Sequence, residues 1–308
     1  MCLFQGAALG KKNNTSNRGH TLLTNIELIL QSGGLQMRLA VFQKAAITIL
    51  MGMFSISAIA ASGGHDSGPA CEGFGPQTPR DIDSTKGKNP VVFNNAPSAN
   101  NMNLCNIHFH NNAEHKAKDF AIYAGEGDHG HGGGYMCGMS KSLSKAELKA
   151  TSGDICKGLK PGDTIEVHWV HTSCQVKPGK GLGSCVSDAC ANPDLRVETQ
   201  VFTLVNDNSA LNFQDLAYGG NMRGGLHQAK MLPKGTGKPV EFIGSTTGPK
   251  FSEQSCSPYQ VTWSVRPKCA KLDINSVGQW CKSNVFEEDH AHGVRKLVTN
   301  PKLLSVID

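Results

Sequence analysis

The chain has 308 residues, with 30 Lys and Arg against 25 Asp and Glu, a formal net charge of +5. Five of those bases (Lys11, Lys12, Arg18, Arg38, Lys44) and one acid (Glu27) fall in the first 60 residues, so the remainder is close to neutral. A near-neutral body has no field with which to recruit nucleic acid or an anionic membrane surface, and both are excluded as partners.

Residues 1–36 carry no structural pattern and read as an upstream over-extension of the reading frame. From Met37, Arg38 and Lys44 form a basic start before Ala45 to Ala60, which is apolar or small and ends in Ala58-Ile59-Ala60. That is a secretory signal peptide over 37–60, since the apolar run is short for a span of about 20 residues. No later segment is apolar enough for a membrane anchor. Residues 61–308 are then one domain, long enough for a sizeable core. Ten cysteines remain in it, with no C-x-x-C pair. An even count behind a signal peptide reads as disulfides in an oxidising compartment, most simply a bacterial periplasm. Spacing alone does not give the pairing, nor does it give the oligomeric state.

A flexible leader (61–70) and a turn-rich stretch (Gly87 to Met102) lead to a strand at Leu104–His110. Phe120–Ala124 reads as a short strand, Gly125–Gly134 as a loop holding His129 and His131, and Ser144–Ala150 as a short helix. Pro161-Gly162-Asp163 is a turn before a second strand, Thr164–His171, rich in β-branched and aromatic residues. Thr172–Pro193 is a Gly- and Cys-rich loop. Arg196–Val205, Val240–Ile243 and Gln260–Val265 read as strands, and Ile274–Lys282 as a helix. The fold class is predominantly β with short helices, built around one large sheet.

The first and second strands carry the chemistry. Alternate residues of a strand share a face, so His108 and His110 project side by side. His168 on the second strand can complete a three-imidazole site. Three neutral imidazoles with an open fourth position make a catalytic zinc site. Asn106 and Glu166 each stand two residues before a ligand, on its face, placed to hold the second ring nitrogen of His108 and His168. Zinc is the expected metal for its redox inertness, although cobalt or another first-row ion also suits three imidazoles.

The pattern H-F-H-x-x-x-E-H (His108 to His115) followed by E-x-H-x-x-H (Glu166 to His171) resembles the metal-binding core of alpha-type carbonic anhydrases. With Cys71-Glu72-Gly73-Phe74-Gly75-Pro76-Gln77-Thr78-Pro79-Arg80-Asp81-Ile82 and Val261-Thr262-Trp263-Ser264-Val265-Arg266-Pro267-Lys268-Cys269, it resembles the delta-class carbonic anhydrases and their bacterial relatives. The resemblance runs from about Cys71 to about Cys281. It implies a fold related to the alpha class, a single domain around a twisted, mostly antiparallel sheet. It implies reversible hydration of CO2 to bicarbonate and a proton by zinc-bound hydroxide. It implies that Glu114 accepts a hydrogen bond from a threonine that orients the hydroxide. That threonine is Thr246 or Thr247, in Gly244-Ser245-Thr246-Thr247-Gly248-Pro249, which departs from the family's Thr-Thr-Pro-Pro turn by one residue and by a longer gap to the V-x-W strand.

CO2 needs an apolar wall beside the metal, for which Val170, Trp263 and Val201 are candidates. His129 and His131 are candidate proton shuttles, since imidazole titrates near neutral pH. His171 points away from His168 and reads as a core histidine. His115 has no assigned task, and His290-Ala291-His292 reads as an adventitious surface metal site. The competing function is an inactive secreted metal- or ligand-binding protein on the same scaffold. A zinc hydrolase is disfavoured because H-E-x-x-H is missing.

Overall fold

The strand read over Thr164–His171 extends to Thr172, and all nine of its residues are buried. In the computed structural model, which describes residues 71, 73–127, 133–153 and 155–308, this strand lies inside the sheet between two neighbours. The strands are β1 (Asn103–Asn111), β2 (Ile122–Tyr123), β3 (Tyr135–Met136), β4 (Thr164–Thr172), β5 (Leu195–Val205), β6 (Met222–Arg223), β7 (Leu226–His227), β8 (Val240–Ser245), β9 (Gln260–Val265) and β10 (Ala270–Asp273). The α-helices are α1 (Phe213–Leu216) and α2 (Ile274–Lys282).

Six strands form the main sheet in the order β1-β4-β5-β9-β8, with β10 also pairing β5. The β1·β4, β4·β5 and β8·β9 pairs are antiparallel, while β5·β9 and β5·β10 are parallel. The sheet is therefore mixed, with antiparallel pairs in the majority, and strands dominate over a few short helices.

One face of the sheet carries Ile107, Phe109, Val167, Trp169, Phe202 and Leu204 against Phe213, Val277 and Trp280 of the two helices. Each such large side chain contributes about 1.5–3 kcal/mol on burial. Asp273 caps α2 by accepting from the Asn275 amide at 3.2 Å, and Ile274, Val277 and Trp280, three apart, turn one helical face to this core. The other face carries Val170, Val197, Val201, Phe242, Val261 and Trp263. Glu166 and His168 of β4 point into this second buried layer, where each needs a partner.

The register sets His108 directly opposite His168, and His110 opposite Glu166. A bulge at Cys105 shifts the pairing between Leu104 and Asn106. Because a one-residue slip flips a strand's faces, this bulge lets Leu104 and Ile107 share the helix-side core while Asn106 and His108 share the other side.

The sequence reading differs in places. Ser144–Ala150 is a turn and not a helix: Ser144 and Glu147 cap one another at 2.8 and 3.2 Å, but the segment is largely exposed, with no apolar face to bury. The strand expected over Phe120–Ala124 is reduced to β2, and the one at Val240 runs on to Ser245. Five disulfides pair the ten cysteines: Cys71–Cys256, Cys105–Cys185, Cys137–Cys269, Cys156–Cys281 and Cys174–Cys190. They fit an oxidising compartment. Among the described residues no helix is long and apolar enough to cross a membrane. The signal peptide at 37–60 and the loop histidines His129 and His131 lie outside the described residues.

Candidate metal centre

His108 and His110 from β1 and His168 from β4 form a compact triangle, with ring centroids 5.2, 5.0 and 4.8 Å apart. His108 Nε2 and His168 Nδ1 face each other at 3.2 Å. Two nitrogens on one tetrahedral ion at about 2.0–2.1 Å each would lie about 3.3 Å apart. His110 Nε2 is buried without a partner. An orphaned imidazole nitrogen beside two converging ones, with a ligand atom from each residue within 4.8 Å of the others, fits a first-row metal ion.

The far sides of the rings are held. His108 Nδ1 donates to Asn106 Oδ1 at 2.6 Å, which leaves the Nε2 lone pair free. His110 Nδ1 donates to the Gly293 carbonyl at 3.1 Å and lies 3.2 Å from Glu114 Oε1. Burial holds the His110 imidazole down at about 4, and burial together with the neighbouring imidazoles holds His108 well below its ordinary value. Both rings are thus neutral at physiological pH, the form that binds metal.

Glu166 departs from its expected task. Its Oε2 is 3.7 Å from His168 Nε2, too far for a good hydrogen bond. Its closer contacts are the Glu114 amide at 2.5 Å and His115 Nδ1 at 2.9 Å. Burial raises its pKa, but His115 and His168 outweigh that and keep it well below the carboxylate range. His115, without a task in the sequence reading, is a buried strut: its Nε2 meets Thr78 Oγ1 at 3.1 Å and its ring packs 4.6 Å from Trp263. His115, Glu166 and His168 also approach one another closely enough for a metal, but the hydrogen bonds to Glu166 mark that group as a bracket.

Glu114 and Thr246 are not joined. The Thr246 hydroxyl pairs with Ser257 Oγ at 2.8 Å, while Glu114 Oε2 is buried without a partner. The long gap between Gly248 and Val261 supplies the cause. It carries Ser257, which Gln77 grips through its backbone on both sides at 2.9 Å, next to the threonines.

Above His108 and His168 opens a cavity of about 370 Å³. Val170, Val197, Val261 and Trp263 line its wall, with Thr246 and Thr247 also at its surface. Val201 does not line it: two alternations from Val197 along β5, opposite Glu166, it is a core residue with no exposure. Val197 takes the wall position instead, paired with Val170. A side chain at Gly244 would sit 2.7 Å from Trp263, so the glycine lets the indole lie beneath the histidines.

His171 faces the helix side, donates to the Trp169 carbonyl at 3.0 Å and is held by burial at about 4. His292, read from the sequence as part of an adventitious surface metal site, lies beside the three histidines. It stands 5.8 Å ring to ring from His108, its side chain 42% exposed and its Nε2 2.7 Å from Glu288. The Glu288 hydrogen bond raises its pKa. Its segment pairs with β1 through a bridge to His110, which brings the Gly293 carbonyl to that imidazole. The H-x-H at 290–292 was the available signal.

Comparison with known proteins gives one family. A family model for delta carbonic anhydrase matches residues 99–276. No curated protein matches the chain. Among solved structures it is similar to a hyperthermostable carbonic anhydrase identified from an active hydrothermal vent chimney, at 16% identity over 75% of this chain and 86% of that one, TM-score 0.31. It is also similar to the alpha-carbonic anhydrase of Thermovibrio ammonificans in complex with the inhibitor sulfanilamide, at 14% identity over 72% and 84%, TM-score 0.27. The Photobacterium profundum alpha-carbonic anhydrase is similar at 16% identity over 74% and 88%, TM-score 0.25.

Proposed function

This chain belongs to the delta carbonic anhydrase family, and on that premise we propose that it is a secreted, zinc-dependent carbonic anhydrase interconverting CO2 and bicarbonate. The observation that carries the reading is the convergence of His108 Nε2 and His168 Nδ1 at 3.2 Å beside the orphaned His110 Nε2, on the floor of an apolar cavity. Zinc held by these three nitrogens would supply a Lewis acid that makes a water nucleophilic near neutral pH, carbonic anhydrase being the type case of that effect.

The chain's own residues do the rest. Asn106 and the Gly293 carbonyl hold His108 and His110 in the Nδ1–H tautomer, so that each presents a lone pair at Nε2. Glu166 braces the floor through His115 and the Glu114 amide. Val170, Val197, Val261 and Trp263 give an apolar molecule such as CO2 a dry seat. Glu114 Oε2 is the free acceptor for the Thr246 hydroxyl, which turns to it from Ser257 in this reading. Five disulfides support export, with the bacterial periplasm as the proposed compartment.

The test is stopped-flow CO2 hydration on oxidised protein with its metal assayed on the same sample. Fast turnover with one zinc per chain, lost on chelation and restored by zinc, is expected. Stoichiometric zinc without turnover would move the function to metal or ligand binding.

A further inference from the structure

Three features of the loop after β4 converge on the bulged residue of β1. The Cys105 side chain is bonded to Cys185. Its carbonyl accepts from the Gly179 amide at 3.0 Å and from Ser184 Oγ at 2.8 Å. The next residue, Asn106, donates from Nδ2 to the Gly179 carbonyl at 3.0 Å. An amide has one oxygen and one NH2, so fixing the NH2 on Gly179 aims Oδ1 the other way, at His108 Nδ1. A bulge is a place where a strand can re-aim a side chain, and this one is gripped by backbone, side chain and disulfide together.

We infer that the Gly179–Cys185 segment, locked to Cys105 by the disulfide and by Ser184, is a positioning element that acts through Asn106 to orient His108 for metal. None of its residues points a ligand atom at the site. The same segment lines the cavity through Leu182, Gly183 and Cys185, so one loop sets both the apolar wall and the orientation of a metal-facing imidazole. Without the clamp, Asn106 is free to rotate its amide and present NH2 to the His108 ring. That arrangement favours the tautomer with its hydrogen on Nε2, which cannot bind metal there.

The inference rests on the three-histidine reading, and its test separates the two. Zinc affinity is measured by competition with a chromophoric chelator on oxidised parent protein, Ser184→Ala, the Cys105→Ser/Cys185→Ser pair, Asn106→Ala, and each clamp change combined with Asn106→Ala. Loss of the Asn106 contact should weaken zinc by about ten- to a hundredfold. The clamp variants should weaken it in the same direction, and should add nothing once Asn106 is alanine. In the zinc-free protein, 15N spectra of the imidazoles should show His108 with its hydrogen on Nδ1 in the parent and a tautomer mixture in Ser184→Ala. That variant removes one hydroxyl and keeps all five disulfides, so it folds even if the cysteine pair does not. Parent protein that takes up no zinc would overturn the metal reading itself. Parent zinc affinity and tautomer in Ser184→Ala, or losses that multiply in the Asn106→Ala background, would overturn the positioning role alone.

Discussion

Glu166→Gln tests the buried bracket most directly. The carboxylate has no exposure and accepts from the Glu114 amide at 2.5 Å and from His115 Nδ1 at 2.9 Å. A carboxylate is an acceptor at both oxygens, whereas a glutamine offers one oxygen and one NH2. With the amide oxygen kept on the Glu114 N–H, the NH2 meets His115 Nδ1–H donor to donor, unless His115 moves its proton to Nε2 and accepts at Nδ1. Leaving that group unsatisfied costs about 1–3 kcal/mol, and losing the charge-assisted bond costs about 1.5–3 kcal/mol more. The sum, about 2.5–6 kcal/mol, brackets the roughly 3–5 kcal/mol that breaking a buried ion-paired contact costs. It is a large share of the ~5–15 kcal/mol that holds a domain together. Urea denaturation of zinc-free, disulfide-intact protein reads it, with Glu241→Gln as control. Glu241 is the half-exposed partner of Arg196, so its loss should cost under about 1 kcal/mol. A Glu166→Gln variant within about 1 kcal/mol of its parent, with His115 still carrying its hydrogen on Nδ1 in 15N spectra, would refute the bracket.

His168→Ala removes one of the two converging nitrogens, so zinc content by atomic emission and CO2 hydration should vanish together; a variant that kept both would disprove the ligand set. Glu114→Gln should keep zinc, because an amide oxygen at Oε1 still serves the Arg295 amide, yet slow hydration by about 10²-fold as the free acceptor at Oε2 becomes a donor. Parent-like turnover there would remove Glu114 from the mechanism. His171 bears on acid stability. Its folded pKa of about 4 lies below the ordinary 6.5, so the unfolded chain binds the proton first. Its contribution is intact above about pH 6.5 and is lost as pH falls toward 4, about 2 kcal/mol of it by pH 5. His171→Phe should therefore show a flatter decline in urea midpoint between pH 7 and 5, and parallel curves would count against a neutral buried imidazole.

Local pattern was enough to bring the converging histidines onto one face and to mark most of the strands. Two-residue periodicity puts His108 and His110 on one face and Asn106 with them, and a β-branched, aromatic run makes Thr164–Thr172 a strand; neither depends on anything distant. The α2 helix was legible for the same reason, its apolar residues falling three apart. What the sequence could not decide is who meets whom. Glu166 sits at the right spacing to serve His168, but the turn after β1 brings His115 and the Glu114 amide closer, and hydrogen bonding goes to the nearer donors. The motif left Thr246 and Thr247 as alternatives, and the contact of Ser257 with Thr246 involves a loop held by Gln77, some 180 residues away in the chain. His292 looked like a surface histidine because its pairing with β1 joins residues far apart in sequence. Periodicity is a property of one segment and survives in the sequence; the partner of a buried polar group is settled by packing between segments, which only the tertiary structure contains.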